Sequence, residues 1–425
     1  MKIGIVCQYF PPESNAPAIR TYEHAREWVR AGHEVTVLTG FPHHPHGVVA
    51  EGYRGEWLRR EDVDGIEVVR SWVYATANRG KVRRIASFLS FFVSSVLAGR
   101  FFADRPDVIL GTSPQFFTGV AGYLLSRLHG TPFILEIRDL WPQVAVEMGM
   151  VRHGSVAPLV RLQRAMYKAA DRIVIVSEGF RQHLLDAGVP EERIAYVPNG
   201  IDPEVLSRPV ESAASVRRRL GLEDRFVVSY IGTHGLAHAL GTVLEAARRL
   251  QDHDTIRFLF VGDGAERHAL ELQARRMGLT NVRFLGQQSR DAAIACYRAS
   301  DLCLVPLRDL PAFRQVLPSK LFEILGSGVP VVCSVPGEAG DLVRRSGGGV
   351  VIPPEDPAAL ATELLRLYAQ PEALAAMGAA GREYVHREHL RPRLAGRLAA
   401  LMEDLCGEAG ALLARRRIAS LSVAE

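Results

Sequence analysis

Short runs of Val, Ile, Leu and Phe alternate along this chain with longer stretches in which apolar residues recur every three or four positions. The short runs read as strands buried on both faces, and the longer stretches as helices packed along one side. In the first half, strands are expected at Lys2–Cys7, Glu34–Thr39, Ile66–Ser71, Val108–Thr112, Phe133–Ile137, Arg172–Val176 and Ile194–Val197. The clearest helix is Ala16–Arg30, where Ile19, Tyr22, Ala25 and Val29 share a face. Asn15 or Ser14 can cap its start and Gly32 closes its end. Strands alternating with helices predict a parallel sheet covered on both sides.

After Asp202 the stretch PEVLSRPVESAAS is polar and carries proline, as a linker does. The alternation then restarts, with strands expected at Phe226–Ile231, Ile256–Val261, Val282–Leu285, Leu302–Pro306, Val329–Ser334 and Val350–Ile352. The expected fold is therefore α/β, with two Rossmann-like, doubly wound domains facing a central cleft. Residues 1–203 form the first, 204–385 the second, and 386–425 a helix returning toward the first, followed by a tail. Ligands of such sheets bind at the carboxyl ends of the strands.

Composition narrows the function class. At 425 residues, 48% hydrophobic and 23% charged, the chain is neither disordered nor fibrous. A net charge of +4 is too mild to argue for nucleic acid. Cys7, Cys296, Cys303, Cys333 and Cys406 make no CxxC pair, which suits reduced thiols in a cytoplasmic protein. The opening MKIGIVCQYFPPES is broken by proline too soon for a signal peptide and reads as a first core strand. The uncharged stretch Ile85–Gly99 has 15 residues, fewer than the roughly 18–20 that span a bilayer. It follows Arg79, Lys81, Arg83 and Arg84. Ile85, Phe88, Leu89, Phe92, Val96 and Leu97 can share one helical face, either against the sheet or, with the basic flank, against an anionic membrane surface.

Candidate chemistry gathers in a few loops. Pro318–Val332 (PSKLFEILGSGVPVV) reads as loop, short helix, tight turn and buried strand. Ser319 can cap that helix, and Glu323 leans back toward the loop, where it can accept hydrogen bonds from ligand hydroxyls. Lys320 stands at the positive end of the helix dipole, at a loss of about a few tenths of a kcal/mol that a bound anion would remove. In YIGTHGL a strand runs into a glycine turn at Gly232 and Thr233, whose N–H groups can cradle a phosphate. VGDGAER has Arg267 where a dinucleotide fingerprint needs its third glycine, and no glycine follows the first strand, so a nicotinamide site is disfavoured. At the end of a first-domain strand, in EIRDLWP, Arg138 can meet a phosphate and Asp139 can orient a hydroxyl or take a proton. Arg20 is near the end of the first strand. His43, His44 and His46 crowd one loop, which suits a cleft edge better than a metal site.

The chain resembles the GT-B glycosyltransferases of family 4, which are retaining and use nucleotide-sugars. The marks are RTYEHAREWVRAGHEVTVLTG, VPNGID, VGDGAE and PSKLFEILGSGVPVV, in this order and over nearly the whole chain. IRDLWP and PSKLFE look most like the subgroup resembling WbuB and the colanic acid transferases. The resemblance implies transfer from a nucleotide-sugar, a UDP-sugar here, to a lipid-linked saccharide in bacterial surface polysaccharide assembly. It implies a peripheral place at the inner face of the cytoplasmic membrane, no metal or other cofactor, and no nucleic acid partner. By position, Glu323 would bind the ribose hydroxyls. Glu323 matches the second glutamate of the family's Glu–seven residues–Glu motif; Gln315 stands at the first, so it can hydrogen-bond a sugar but cannot stabilise positive charge. Val316, Leu317 and Pro318 would line the donor sugar, with Ser319 and Asn199 also on the donor side. His234 and His238 replace an arginine and a lysine that many members carry, leaving Lys320, Arg138 or Arg20 to hold the diphosphate. Arg20, His43 and His44 would lie on the acceptor side. Two other readings stay open: a sugar-nucleotide epimerase of the same fold, and a non-catalytic partner subunit with a degenerate donor site.

Overall fold

The computed structural model describes residues 1–44, 47–76, 81–99, 105–113, 116–149 and 156–421. The chain forms two compact units, Met1–Pro198 with Arg391–Glu425, and Asn199–Leu390. The breaks therefore fall at Pro198 and Leu390, and not at residues 203 and 385. Buried side chains explain the second position. Arg391 donates from Nε to Glu23 (2.8 Å), Trp28 Nε1 donates to the Ala395 carbonyl (2.9 Å), and Leu394, Leu398 and Met402 are wholly buried in the first unit's core. The Arg391–Leu421 helix is thus a core element of that unit from its first turn.

The first sheet contains β1 (Lys2–Val6), β2 (Glu34–Gly40), β3 (Leu58–Val63), β4 (Ile66–Ser71), β5 (Val108–Thr112), β6 (Phe133–Ile137), β7 (Arg172–Ile175) and β8 (Ile194–Tyr196). Its order is β3-β4-β2-β1-β5-β6-β7-β8, parallel except for the β3–β4 pair. The β3 edge strand, LRREDV, was not expected from the alternation because it is charged and has no buried face. Its signal was the turn: Asp64 (φ 53°) and Gly65 (φ 80°) make the two-residue hairpin that Asp-Gly favours.

The second sheet contains β9 (Phe226–Ile231), β10 (Ile256–Val261), β11 (Val282–Gly286), β12 (Leu302–Pro306), β13 (Val331–Ser334) and β14 (Gly349–Val351). It is wholly parallel, in the order β11-β10-β9-β12-β13-β14. In each sheet the order reverses about the first strand, so β1 lies between β2 and β5, and β9 between β10 and β12. Such switch points open a crevice at the carboxyl edge.

Two local expectations are corrected. The stretch read as a linker carries helices Pro203–Ser207 and Ala213–Leu220, capped by Asp202 and Ser212. The apolar stretch read as 15 residues belongs to a 19-residue helix, Lys81–Gly99. Its window Val82–Gly99, with mean hydropathy 1.3, is long and apolar enough to cross a bilayer by length and composition. One side of this helix is nonetheless part of the first unit's core, through Phe91 and Ala98.

Candidate active site

The second unit's switch point is built from glycine turns laced together. β9 is followed by Gly232 (φ 145°) and β10 by Gly262 (φ 133°). Gly232 N donates to the Val261 carbonyl (2.9 Å), His234 N to Asp263 (2.9 Å), and Gly262 N to Gly286 (2.8 Å). A Cβ at Gly262 would stand 2.0 Å from the Gly232 carbonyl oxygen, and one at Gly264 would stand 2.4 Å from that of His234. The glycines of VGDGAE therefore serve close backbone approach between neighbouring turns.

Into the Gly232 turn comes Lys320, from the helix Lys320–Gly326 that follows β12. A Cβ at Gly232 would lie 2.6 Å from Lys320 Nζ, so a side chain there would push the ammonium out of its present place. Nζ sits 4.1 Å from the centroid of the Tyr230 ring, is sealed from solvent, and has no hydrogen-bond partner. Burial pulls its pKa down to about 7, partly opposed by the charge of Glu323. Ser319 does not cap this helix; its backbone is already helical and its side chain makes no capping bond. Glu323 lies one turn on, within reach of the Tyr297 hydroxyl at Oε2 (3.5 Å) and of Arg290 at Oε1 (3.8 Å).

His234 and His238 are not cations at neutral pH. Burial first, then Arg267, pulls His234 down to about 4. Burial first, then Lys320, pulls His238 down to about 3. Both ring nitrogens of His234 lack partners, and the ring packs among Tyr230, Phe260 and Phe284. Thr233 follows Gly232, and its carbonyl accepts from the Tyr230 hydroxyl (2.6 Å). Gln315 closes the short turn Pro311–Gln315; Val316 N donates back into that turn, and Leu317 is buried behind it. Pro318 accepts from Leu321 N at the helix start. Asn199 is buried at the beginning of the second unit.

In the first unit, Arg20 is neither solvated nor presented at an edge. Its Nε donates to Glu136 (2.9 Å), and its terminal nitrogens donate to the carbonyls of Pro198 (2.8 Å) and Val197 (3.0 Å), with both charged side chains buried. Arg138, at the end of β6, has one terminal nitrogen with no hydrogen-bond partner. Burial pushes Asp139 up to about 6 against the pull of Arg138. Asp139 borders a cavity of about 30 Å³, the space of a water, beside Phe116, Trp141 and Tyr167.

His43 and His44 are tied to a residue that sequence reasoning missed. Glu13 Oε1 accepts from both backbone N–H groups, at 2.9 and 2.8 Å, while its buried Oε2 has no partner. Burial raises this carboxyl to about 7. The Nδ1–H of His43 donates to the Phe41 carbonyl (2.8 Å), and burial lowers the ring's pKa, leaving it neutral. No motif marks Glu13; its place in the PPES loop straight after β1 was the available signal. His46 lies outside the described residues.

Comparison with known proteins then decides the family. Residues 15–200 match the description "Glycosyl transferase 4-like domain", and residues 214–384 match "Glycosyl transferases group 1". This chain belongs to the family 4 glycosyltransferases of the GT-B fold. It is 29% identical over 400 residues to WcaI of Escherichia coli K12, named as a colanic acid biosynthesis glycosyl transferase, covering 91% of this chain and 96% of that one. In fold it is similar to sucrose-phosphate synthase from Thermosynechococcus elongatus (TM-score 0.76, 18% identity, 96% and 99% of the two chains). It is likewise similar to HepE of Anabaena, solved in complex with UDP and glucose (TM-score 0.71, 18% identity, 95% and 99%).

The basic residues assigned to membrane contact fall on the helix Lys81–Gly99 or just before it. Arg83 is exposed and Arg84 half-exposed; Arg79 and the Lys81 side chain lie outside the described residues. The apolar positions do not form one face. Phe92 and Val96 pack against the core, as does Phe91, while Val82, Ile85, Leu89, Val93 and Leu97 face outward. The serines point inward: Ser87 and Ser95 are buried, and Ser94 donates to the Trp72 carbonyl (2.5 Å). The inner side is thus mixed, serines beside Phe91, Phe92 and Val96, while the outer side carries more aliphatic residues than a surface helix usually shows. Leu124 and Leu128 of the Phe116–His129 helix are also exposed.

Proposed function

We propose that this glycosyltransferase moves a sugar, with retention of configuration, from a UDP-sugar to a lipid-linked saccharide in bacterial surface polysaccharide assembly. The observation that carries the donor assignment is the sealed, unpartnered Lys320 ammonium in the Gly232 turn, with Glu323 one helical turn away. Cleaving the bond from sugar to diphosphate leaves negative charge on the diphosphate oxygens. Lys320 and the N–H groups of the turn would hold that charge in place as it develops, without reorganising. Glu323 would accept hydrogen bonds from the ribose hydroxyls, and Gln315 from the sugar. The reported complex of HepE with UDP and glucose supports a uridine donor, and the naming of WcaI supports the polysaccharide role. Retention and the absence of a metal requirement come from the family resemblance. The outward aliphatic face of the Lys81–Gly99 helix, with Arg83 and Arg84 at its start, supports a peripheral place on the anionic inner face of the cytoplasmic membrane.

The test is turnover of UDP-, GDP- and ADP-sugars with a bacterial lipid extract as acceptor, read as released nucleoside diphosphate. Glu323→Ala and Lys320→Ala should each lower the rate by about 10²–10³-fold while the protein stays folded. Full turnover in both variants would sink the reading. Donor consumption without any acceptor would favour the epimerase.

A further inference from the structure

Lys320 is an unusual charge for its surroundings. Its ammonium is closed off from water, pressed against the Gly232 turn and the face of Tyr230, and makes no hydrogen bond. A buried ammonium normally has a partner, because desolvation costs several kcal/mol per ion when nothing compensates. We propose that Lys320 is partly deprotonated while the turn is empty and takes up a proton when a nucleoside diphosphate enters, so that nucleotide and proton bind together. The inference rests on the donor reading above and adds a proton to its binding step.

The groups packed around Lys320 leave it little else to lean on. On its own helix, Glu323 is the one carboxylate acting on it, and that carboxylate is shared with Arg290 and Tyr297. From β12, the Cys303 thiol is held protonated by burial, and from β9 the Tyr230 hydroxyl likewise. From the turn itself, His234 and His238 stay neutral, held down to about 4 and about 3. Tyr297, from the Arg290–Arg298 helix, is also held protonated by burial. Cys303, Tyr230 and Tyr297 thus keep their protons near neutrality and His234 and His238 stay without a second one, which leaves Lys320 to take up a proton on binding. Burial has already drawn its pKa down to about 7. A diphosphate within hydrogen-bond distance stabilises the charged form and returns the pKa toward the ordinary lysine range.

The size of the effect follows. With a pKa of about 7, half of the empty sites carry the proton at pH 7 and about one in a hundred at pH 9. Affinity for the diphosphate should therefore fall about 50-fold between those pH values, with about 0.9 proton taken up per nucleotide at pH 8. A terminal phosphate has its second pKa near 6 and is almost fully ionised at pH 8, so the nucleotide contributes little to the count.

The experiment is titration calorimetry of the full chain with UDP, GDP and ADP at pH 8 in Hepes and in Tris, whose ionisation heats differ, with affinities measured at pH 7, 8 and 9. An apparent heat that tracks the buffer with a slope near one proton, together with the 50-fold loss, is the expected result. Lys320→Arg, charged at every pH used, should bind with a slope near zero and a flat pH profile. Lys320→Gln, which has no proton to take up, should bind weakly and equally flatly. Nucleotide binding by the unaltered chain with no buffer dependence and a flat affinity from pH 7 to 9 overturns the proposal and leaves the donor reading standing. Failure of all three nucleotides to bind at any of these pH values overturns the donor reading itself, and the proposal with it.

Discussion

Replacing Arg20 by methionine should unfold the first unit at a markedly lower urea concentration. Methionine keeps much of the apolar stem and removes the guanidinium. That breaks the contacts with Glu136 and frees the carbonyls of Val197 and Pro198, leaving Glu136 with the Thr112 hydroxyl (2.8 Å). A fully uncompensated buried charge costs about 3–5 kcal/mol, and Arg138, which also acts on Glu136, compensates part of it. A cavity of about 10 Å³ beside Arg20 and Glu136, enlarged by the truncation, can admit a water to the orphaned groups, which favours the lower end of that range. A loss of about 3 kcal/mol, at about 2 kcal/mol per molar urea, moves the midpoint by about 1.5 M.

The assay can be confined to one unit. All 4 tryptophans, Trp28, Trp57, Trp72 and Trp141, belong to the first unit, so their fluorescence follows its unfolding. The pH dependence has a fixed sign. Burial pushes Glu136 up, but Arg20 and Arg138 outweigh it and the net shift is down. A depressed carboxyl contributes stability above its unfolded pKa and loses it as pH falls through the folded value. In Arg20→Met the carboxyl keeps only Arg138 and Thr112 to hold it down, so it lies higher than in the unaltered protein and has less of this stability to lose as pH falls. The gap between the two proteins should therefore be widest near pH 7 and narrow below pH about 4. Adding Glu136→Gln to the variant should recover at least half of the loss. An unchanged midpoint with reduced transfer would refute this account and return Arg20 to the substrate.

Two further outcomes test the second unit and the outer helix. Gly262→Ala puts a Cβ 2.0 Å from the Gly232 carbonyl oxygen and should abolish nucleotide-induced thermal stabilisation, whereas Gly235→Ala, whose nearest neighbours stand at 3.6 Å, should preserve it. Normal stabilisation of Gly262→Ala by UDP would contradict the laced turns. In sedimentation with phosphatidylglycerol vesicles, neutralising Arg83 and Arg84 should weaken binding about 30-fold, at about 1 kcal/mol for each charge near the surface. Vesicle binding indifferent to both salt and these substitutions would reject the membrane face.

The two sheets were legible because a parallel strand buried on both faces leaves an uninterrupted apolar run, and most such runs from Lys2 to Val351 end within a residue or two of where they were read. β3 was not, because an edge strand with charged, half-exposed positions leaves only its Asp-Gly turn as a signal. Lys320 and Glu323 were legible as a candidate pair because they are three apart in one motif. The fate of Arg20 was not, since its partner Glu136 is 116 residues away and a helix pattern says nothing about pairing at that range. The Lys81–Gly99 helix shows the same limit from another side. Counting apolar residues finds the helix, but which side packs depends on polar contacts such as those of Ser94, which hydrogen-bonds inward to Trp72 and Ser71.

The groups that composition and spacing could least reveal are those that fold at a loss. Buried polar atoms without partners include Glu13 Oε2 and an Arg138 nitrogen in the first unit, and Lys320 Nζ with both His234 nitrogens in the second. Each costs about 1–3 kcal/mol relative to a satisfied group, more where the group is charged. Glu13 follows β1, Arg138 follows β6, His234 follows β9, and Lys320 follows β12, so these four lie on the carboxyl side where α/β sheets bind ligands, whereas Thr131 Oγ1 and Asn281 Oδ1, also unpartnered, belong to residues that precede β6 and β11. Stability alone would favour apolar residues at such positions. A hydroxyl or a phosphate oxygen arriving there would recover part of that loss, and the same unmet valences that weaken the empty fold would then contribute to binding.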